Sequence, residues 1–313
     1  MFAARCAGVS LAVFVLAYVL ASLAIGVGWR LVLRLLRPSS ARGTADLLFA
    51  IRIFPLGLAL ATSFGIALPS FLLLEPHATD EAVGTAPLLL AAVFLALAVW
   101  GVWGGVRAQR RSSRAMEQWL DGSTRMDSSD AVPVFRSHQN SPTLTVAGVR
   151  APKVIVSDDA AAALTPSELN TALRHEIAHV RRYDNLKKLI FRAAAFPGTA
   201  GLEAAWADQT ELAADDAAVS SIDDALDLAS ALIKISRLGF GATADISRAL
   251  LHSSTALSLR IRRLFAWSSA QRTMPARPLW LCGFSVAAIL VCLIASYNMM
   301  LGRMHELTEW LVR

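Results

Sequence analysis

Four long apolar segments are the feature of this sequence that most constrains its fold. They cover residues 9–29, 53–74, 86–106 and 279–299, and none contains Asp, Glu, Lys or Arg. Since about 20 helical residues cross the roughly 30 Å hydrocarbon core of a bilayer, each segment is long enough to span it. Apolar residues make up 55% of the chain and charged residues 17%, a composition that excludes a disordered chain and disfavours a purely soluble one. The sequence predicts a mainly α-helical, polytopic protein with a four-helix membrane bundle.

Arginines in the connecting segments predict the orientation of the chain. The loop between the second and third apolar segments contains no Lys or Arg. The other connections are rich in arginine: Arg30, Arg34, Arg37 and Arg42 after the first segment, Arg107, Arg110, Arg111 and Arg114 after the third, and Arg260, Arg262 and Arg263 before the fourth. By the positive-inside rule, both termini lie outside and residues 107–278 lie in the cytoplasm, at a cytoplasmic membrane of the bacterial type.

This orientation divides the chain into a membrane domain (1–106), a cytoplasmic domain (107–278), and a fourth span with a short extracytoplasmic tail (279–313). The lipid bilayer is therefore one partner. The net charge of +6 comes mostly from the arginines that predict this orientation. No nucleic-acid partner is expected, because the cytoplasmic segment has no basic stripe interleaved with stacking aromatic residues. A cleaved signal peptide is the alternative for the first segment, but its apolar core is too long and arginines follow it.

The cytoplasmic segment has the pattern of an α+β domain. Residues 121–130 are rich in polar turn formers and indicate a flexible entry. Short β-like runs follow at 132–137, 143–147 and 153–157, and the last two predict a hairpin that turns at 148–152. The residues Thr165-Pro166-Ser167-Glu168 form a capping box with Pro at the first helical position, so a helix is expected from there to about Tyr183.

That helix contains His175-Glu176-Ile177-Ala178-His179, an HExxH motif. Residues i and i+4 lie on one helix face, so both imidazoles reach one metal ion, and Glu176 can deprotonate a water at the open metal position. The alternative is an exposed helix face with two unrelated histidines. Because a catalytic zinc has three protein ligands, a third is needed, and Glu211 on a later helix is the best candidate.

Other residues extend or compete with this prediction. Asp215 shares a helix face with Glu211 and can accept the free ring N–H of a ligand histidine, whereas Glu203 is a rival third ligand without such an acidic partner. His252 and Arg248 are candidates to stabilise a developing oxyanion. A basic cluster either contacts anionic lipid or forms a solvated helix face. Its members are Arg181, Arg182, Lys187, Lys188 and Arg192.

Three motifs together resemble a known family. The HExxH motif, the run Arg181-Arg182-Tyr183-Asp184-Asn185-Leu186, and Glu211-x-x-Ala214-Asp215 are similar to the integral-membrane zinc endopeptidases of the BlaR/MecR (β-lactam-sensor, antirepressor) type. The CAAX-prenyl and heat-shock membrane endopeptidases are more distantly similar. The match covers motifs within residues 140–220, and the predicted topology of the whole chain fits the same family.

The resemblance implies a gluzincin-type zinc metallopeptidase domain with one Zn²⁺ per chain. His175, His179 and Glu211 would be the ligands, Glu176 the general base, and Asp215 a partner of a ligand. Asp184 matches an acidic residue of the family whose role is either to orient a group or to end a helix. An extended substrate would add to an edge strand, here in the hairpin 143–157. Only residues 301–313 follow the fourth span, so no extracellular penicillin-binding sensor is expected, and 191–208 lacks the aromatic-rich pattern of the family.

The predicted function is a metalloendopeptidase that hydrolyses peptide bonds with a metal-activated water. Its protein or peptide substrate would be a cytoplasmic repressor, in regulatory proteolysis, or membrane proteins, in quality control. The alternative is a non-catalytic membrane signal transducer or scaffold that uses the zinc domain to bind a partner. Such a structural site would have four protein ligands and no need of a base at Glu176.

Overall fold

The computed structural model describes residues 2–75, 85–126, 132–138, 141–194, 196, 198–239, 247–267 and 295–308. The chain is mainly helical. The helices are α1 (Phe2–Leu36), α2 (Ala41–Thr62), α3 (Leu68–Leu74), α4 (Thr85–Leu120), α5 (Asp158–Ala163), α6 (Pro166–Arg181), α7 (Asp184–Ala193), α8 (Ala200–Ala218), α9 (Ile222–Gly239), α10 (Ser247–Phe265) and α11 (295–308). The strands are β1 (Thr124–Met126), β2 (Val134–Ser137), β3 (Leu144–Ala147) and β4 (Lys153–Ser157).

Three helical segments in the described part of the chain are long and apolar enough to cross a membrane. They are Arg5–Leu36, Ala41–Leu74 and Thr85–Leu120, and they contain the first three predicted spans. The fourth predicted span, 279–299, lies outside the described residues except for 295–299, which begin α11. The structure therefore supports a membrane protein with three candidate spans. The four-helix bundle and the side of the membrane that each loop faces stay predictions.

A π-helical turn, Ser63–Ala67, interrupts the second apolar segment between α2 and α3. Pro69 has no N–H to donate to the carbonyl of Gly65, four residues earlier, so that carbonyl lacks its usual helical partner. The hydroxyl of Tyr297 in α11 donates to Gly65 O at 2.8 Å. Helix α11 thus packs beside the end of this segment and supplies a hydrogen bond to this carbonyl.

The sheet has the strand order β1-β2-β4-β3, so β3 lies at one edge of the described sheet. Strands β3 and β4 form the predicted antiparallel hairpin. Gly148 begins its turn with φ +93°, and a Cβ there would lie 2.9 Å from Ala151 O, so this position needs glycine. Strand β1 lies within the stretch that the sequence marked as a flexible entry, where its residues pair antiparallel with β2.

The predicted capping box at the start of α6 is confirmed. Thr165 N donates to Glu168 Oε2 at 2.8 Å, and Glu168 N donates to Thr165 Oγ1 at 3.3 Å. Burial alone would raise the pKa of Glu168, but bonds from Lys234, Ser230 and the Thr165 N–H outweigh it and hold that pKa at about 2. The helix ends at Arg181, two residues earlier than predicted, because Tyr183 adopts a left-handed conformation (φ 56°) that turns the chain into α7.

Helices α7 and α8 are anchored among the membrane-type helices. The hydroxyl of Tyr18 in α1 donates to Ala194 O at 2.9 Å, and Arg52 in α2 donates to the same carbonyl at 2.8 Å. Arg52, only 2% exposed, also binds Glu203 Oε1 in α8 at 2.8 Å. A Cβ at Gly101 of α4 would lie 2.1 Å from Ala193 O, which shows how closely α4 approaches α7.

An apolar core joins the same elements. It combines residues of α2 with residues of α7 and α8. Its buried members are Ala45, Leu48, Ile51, Phe191, Leu202 and Trp206. Helix α8, which carries Glu211, therefore packs directly on α2.

Candidate metal centre

Three predicted ligand residues converge on one point between α6 and α8. His175 and His179 lie one turn apart on α6, and their Nε2 atoms are 3.2 Å apart. Glu211 of α8 brings Oε2 to 3.5 Å from His175 Nε2 and Oε1 to 3.6 Å from His179 Nε2. One donor atom of each residue lies within 4.8 Å of the others, the arrangement expected of a group that can hold a metal ion.

The second ring nitrogen of each histidine, Nδ1, faces the carboxylate of an aspartate. His175 Nδ1 lies 3.0 Å from Asp215 Oδ1, and His179 Nδ1 lies 2.8 Å from Asp184 Oδ2. Both aspartates are buried. Asp215 therefore lies beside His175, one of the two histidines predicted as ligands. Asp184 lies beside His179 at the first residue of α7 and does not end α6, which stops at Arg181.

The chemistry of these donors fits a divalent cation. A neutral imidazole whose Nδ1–H faces a carboxylate has a lone pair on Nε2. Two such lone pairs 3.2 Å apart, beside an ionised carboxylate, repel one another unless a positive charge lies between them. Two imidazole nitrogens and one carboxylate oxygen are also a ligand set of catalytic zinc sites, which leave a fourth position open.

Arg260 of α10 completes the charged cluster. Its Nε and Nη2 atoms donate to the two Asp215 oxygens at 2.8 and 2.7 Å, and its Nη1 donates to Glu211 Oε2 at 2.9 Å. In the sequence analysis, Arg260 contributed only to the predicted orientation in the membrane. No spacing in the sequence marks this contact, because Arg260 and Arg263 are three residues apart whereas their partners Asp215 and Asp216 are adjacent.

The carboxylates give the centre a strongly anionic character. Burial alone would lower the pKa of His175, but its contacts with Asp215 and Glu211 outweigh burial and raise that pKa to about 9. Burial alone would raise the pKa of Glu211, yet His175 and Arg260 hold it well below its usual range. The field that favours a proton on His175 also favours a bound cation at the same place.

Glu176 follows His175 directly on α6 and is half-buried. Burial alone would lower the pKa of the Arg260 guanidinium, but the contacts with Asp215 and Glu211 outweigh burial and raise that pKa. The nearby Glu176 carboxylate makes a smaller contribution in the same direction. A cavity of about 640 Å³ opens beside Glu211 and Arg260, between α8, α9 and α10. Its apolar lining includes Leu212, Leu232, Ile235, Leu257 and Leu259. A volume of this size lies within the range of pockets that bind small ligands.

The remaining candidates lie elsewhere. Glu203, the rival ligand, binds Arg52 and accepts a hydrogen bond from Thr199 Oγ1 at 3.1 Å, so its carboxylate is engaged away from the two histidines. His252 and Arg248 fall in the part of α10 whose side chains lie outside the described residues.

No protein-family model, curated protein or solved structure matches the chain. The resemblance to the BlaR/MecR-type endopeptidases therefore stays a prediction based on the motifs. Any function assigned to the chain depends on the geometry of the centre itself.

Proposed function

We propose that the chain is an integral-membrane zinc metalloendopeptidase with a gluzincin-type site. The observation that carries this proposal is the convergence of two histidine Nε2 atoms and a glutamate, with each histidine Nδ1 facing a buried carboxylate. The adjacent Glu176 supplies the base that such a site requires for hydrolysis.

His175, His179 and Glu211 would hold one Zn²⁺. When bound, the ion supplies Lewis-acid polarisation of a water molecule and of the scissile carbonyl. Glu176 accepts a proton from the attacking water as the new C–O bond forms. It then returns the proton to the amide nitrogen as the C–N bond breaks, which releases a carboxylic acid and an amine; the proton of the acid then passes to the amine, so that the products are a carboxylate and an ammonium group.

Arg260 acts as a positioning residue in this proposal. Its guanidinium bridges Glu211 and Asp215, so one side chain fixes both a metal ligand and the partner of another ligand. The bond from Nη1 holds Glu211 Oε2, which lies 3.5 Å from His175 Nε2, while Oε1 lies 3.6 Å from His179 Nε2. A planar, forked donor suits this task better than the single ammonium of lysine.

The edge strand β3 supports binding of an extended substrate. Ser157 N donates to Thr143 O at 3.1 Å, so the alternation of an antiparallel pair turns the backbone groups of Leu144 and Val146 away from β4. Asn185 Nδ2 donates to Val146 O at 3.3 Å and occupies part of this edge. The backbone N–H and C=O of Leu144 also point away from β4, and in this proposal they pair with an added substrate strand, the mode that the family resemblance implies. A repressor segment and a membrane-protein segment both suit this mode.

A non-catalytic transducer or scaffold is the other candidate. Helix α8 carries Glu211 and is fixed to α2 by the Arg52–Glu203 pair, an arrangement that suits communication between bundle and centre. A structural zinc site, however, would have four protein ligands, and the described residues offer a group of three.

The deciding experiment compares the wild-type protein in lipid nanodiscs with Glu176→Gln, using a quenched peptide library and zinc analysis. We expect at least about 100-fold slower cleavage with unchanged zinc content, because only the base is removed. Glu117→Gln, at an exposed position of α4, is the control and should cleave normally. Cleavage by Glu176→Gln at the wild-type rate would refute the proposal. An inactive wild type with a four-ligand cobalt spectrum would favour the transducer.

A further inference from the structure

The structure separates four residues of the basic cluster at the end of α6 and on α7 into two groups. Arg182 and Lys187 face acidic side chains, because Lys187 Nζ lies 3.2 Å from Asp46 Oδ1 and Arg182 Nε lies 3.7 Å from Asp184 Oδ1. Lys188 and Arg192 point to another side. Within the described part of the chain, neither has an acidic partner.

Lys188 and Arg192 line a small pocket between α7 and α4. They lie one turn apart, so their like charges repel across the helix face unless an anion lies between them. Gln109 and Ser112 of α4 line the opposite wall, and none of the described lining residues is acidic. The pocket has a volume of about 170 Å³, below the range for drug-sized ligands and suited to a small polar group.

The position of the pocket relative to the bilayer indicates its ligand. Helix α7 runs antiparallel to α4, with Ala193 against Gly101 and Leu189 against Gly105. The exposed indoles of Trp100 and Trp103 lie at the same level of α4, and tryptophan favours the headgroup region. Gln109 follows Trp103 by six residues, or about 9 Å of helix. The pocket therefore begins at headgroup depth and extends toward the arginine-rich end of α4.

We propose that this pocket binds the phosphate of an anionic membrane lipid. Lys188 and Arg192 would supply the positive charges, and Gln109 and Ser112 the neutral hydrogen-bond donors. Lipid phosphate is favoured over a soluble phosphate because the pocket lies beside the apolar, exposed surface of α4, where acyl chains can remain in the bilayer.

The test measures binding of short-chain phosphatidylglycerol to the full chain purified in a zwitterionic detergent. Native mass spectrometry counts bound lipid, with short-chain phosphatidylcholine and glycerol 1-phosphate as comparisons. We expect K188Q/R192Q to weaken phosphatidylglycerol binding by about 30-fold. This change corresponds to about 2 kcal/mol, the sum for two basic residues at the membrane surface. K188R/R192K should retain binding within a few-fold.

R110Q/R111Q is the matched control, because it removes two exposed charges of α4 that do not line the pocket. It should weaken binding far less than K188Q/R192Q does. Equal binding by wild type and K188Q/R192Q would overturn the proposal, as would equal losses in the two double variants. Glycerol 1-phosphate that bound as tightly as the lipid would show a soluble-phosphate site instead. Zinc content and cleavage do not enter this measurement, so it is independent of the proposed protease function.

Discussion

Replacing Arg52 with methionine tests how the centre is attached to the bundle. The guanidinium is almost fully buried and donates to Glu203 Oε1 and Ala194 O, both at 2.8 Å. Removing one partner of a buried ion pair leaves the other charge uncompensated and costs about 3–5 kcal/mol. Because the Glu203 side chain is 35% exposed, water will compensate part of that charge. We therefore expect Arg52→Met to lower the free energy of unfolding by about 3 kcal/mol.

The double variant Arg52→Met/Glu203→Met tests whether the orphaned charge of Glu203 causes the loss of stability. Two apolar side chains of similar length leave no orphaned charge, and such replacements of buried pairs are often neutral or stabilising. The double variant should therefore recover most of the stability that the single variant loses. Arg42→Met is the control, because Arg42 lies 3.8 Å from Asp46 with its side chain 78% exposed and should cost under about 1 kcal/mol.

Unfolding in mixed micelles, followed by tryptophan fluorescence, compares the three variants with the wild type. The signal sums the eight tryptophans of the chain, and Trp206 in the core of α2, α7 and α8 is one of them. Zinc retention provides a second readout, since Glu203 and the proposed ligand Glu211 lie on the same helix. The reasoning is refuted if Arg52→Met costs no more than Arg42→Met, or if the double variant is less stable than the single one.

Three further predictions concern the centre and its helix. Glu211→Gln should weaken zinc binding at least about 10-fold in competition with a chelator, whereas Asp208→Asn, at an exposed position one turn earlier, should leave it unchanged. Asp184→Asn should lower zinc affinity or activity by about 10- to 100-fold, because His179 loses its charged partner; equal zinc titrations would contradict this. The lowered pKa of Glu168 stabilises the fold above about pH 4.5, and this contribution of about 3 kcal/mol is lost as the pH falls toward 2. Glu168→Gln should remove that pH dependence from unfolding curves.

Local patterns in the sequence predicted local structure well. The capping box at Thr165 and Glu168 involves residues three apart, so its bonds can be inferred from sequence alone. The hairpin of β3 and β4 follows in the same way from two β-like runs and a turn at Gly148. His175 and His179 share a helix face for a geometric reason that needs no tertiary information.

Contacts between distant segments could not be predicted in this way. Arg260 reaches Glu211 across 49 residues, and its helix gave no sign that it faces an acidic pair rather than the membrane surface. The Arg52–Glu203 pair joins residues 151 apart. In the sequence, Arg52 marks only the start of the second apolar segment, and Glu203 is a candidate only for a metal ligand. In both cases the partner is chosen by packing, which no local pattern encodes.

The separation between Arg52 and Glu203 also sets an order for biosynthesis. At about 5–20 residues per second, a ribosome needs about 10–30 s to make the 151 positions that separate them. During that interval α1 and α2 already exist, while the helix that carries Glu203 and Glu211 does not. When the apolar face of α8, with Leu202 and Trp206, is synthesised, the α2 surface on which it packs is therefore already present. A fragment that began at residue 107 would lack that surface, and its Trp206 and Leu202 would be left in water.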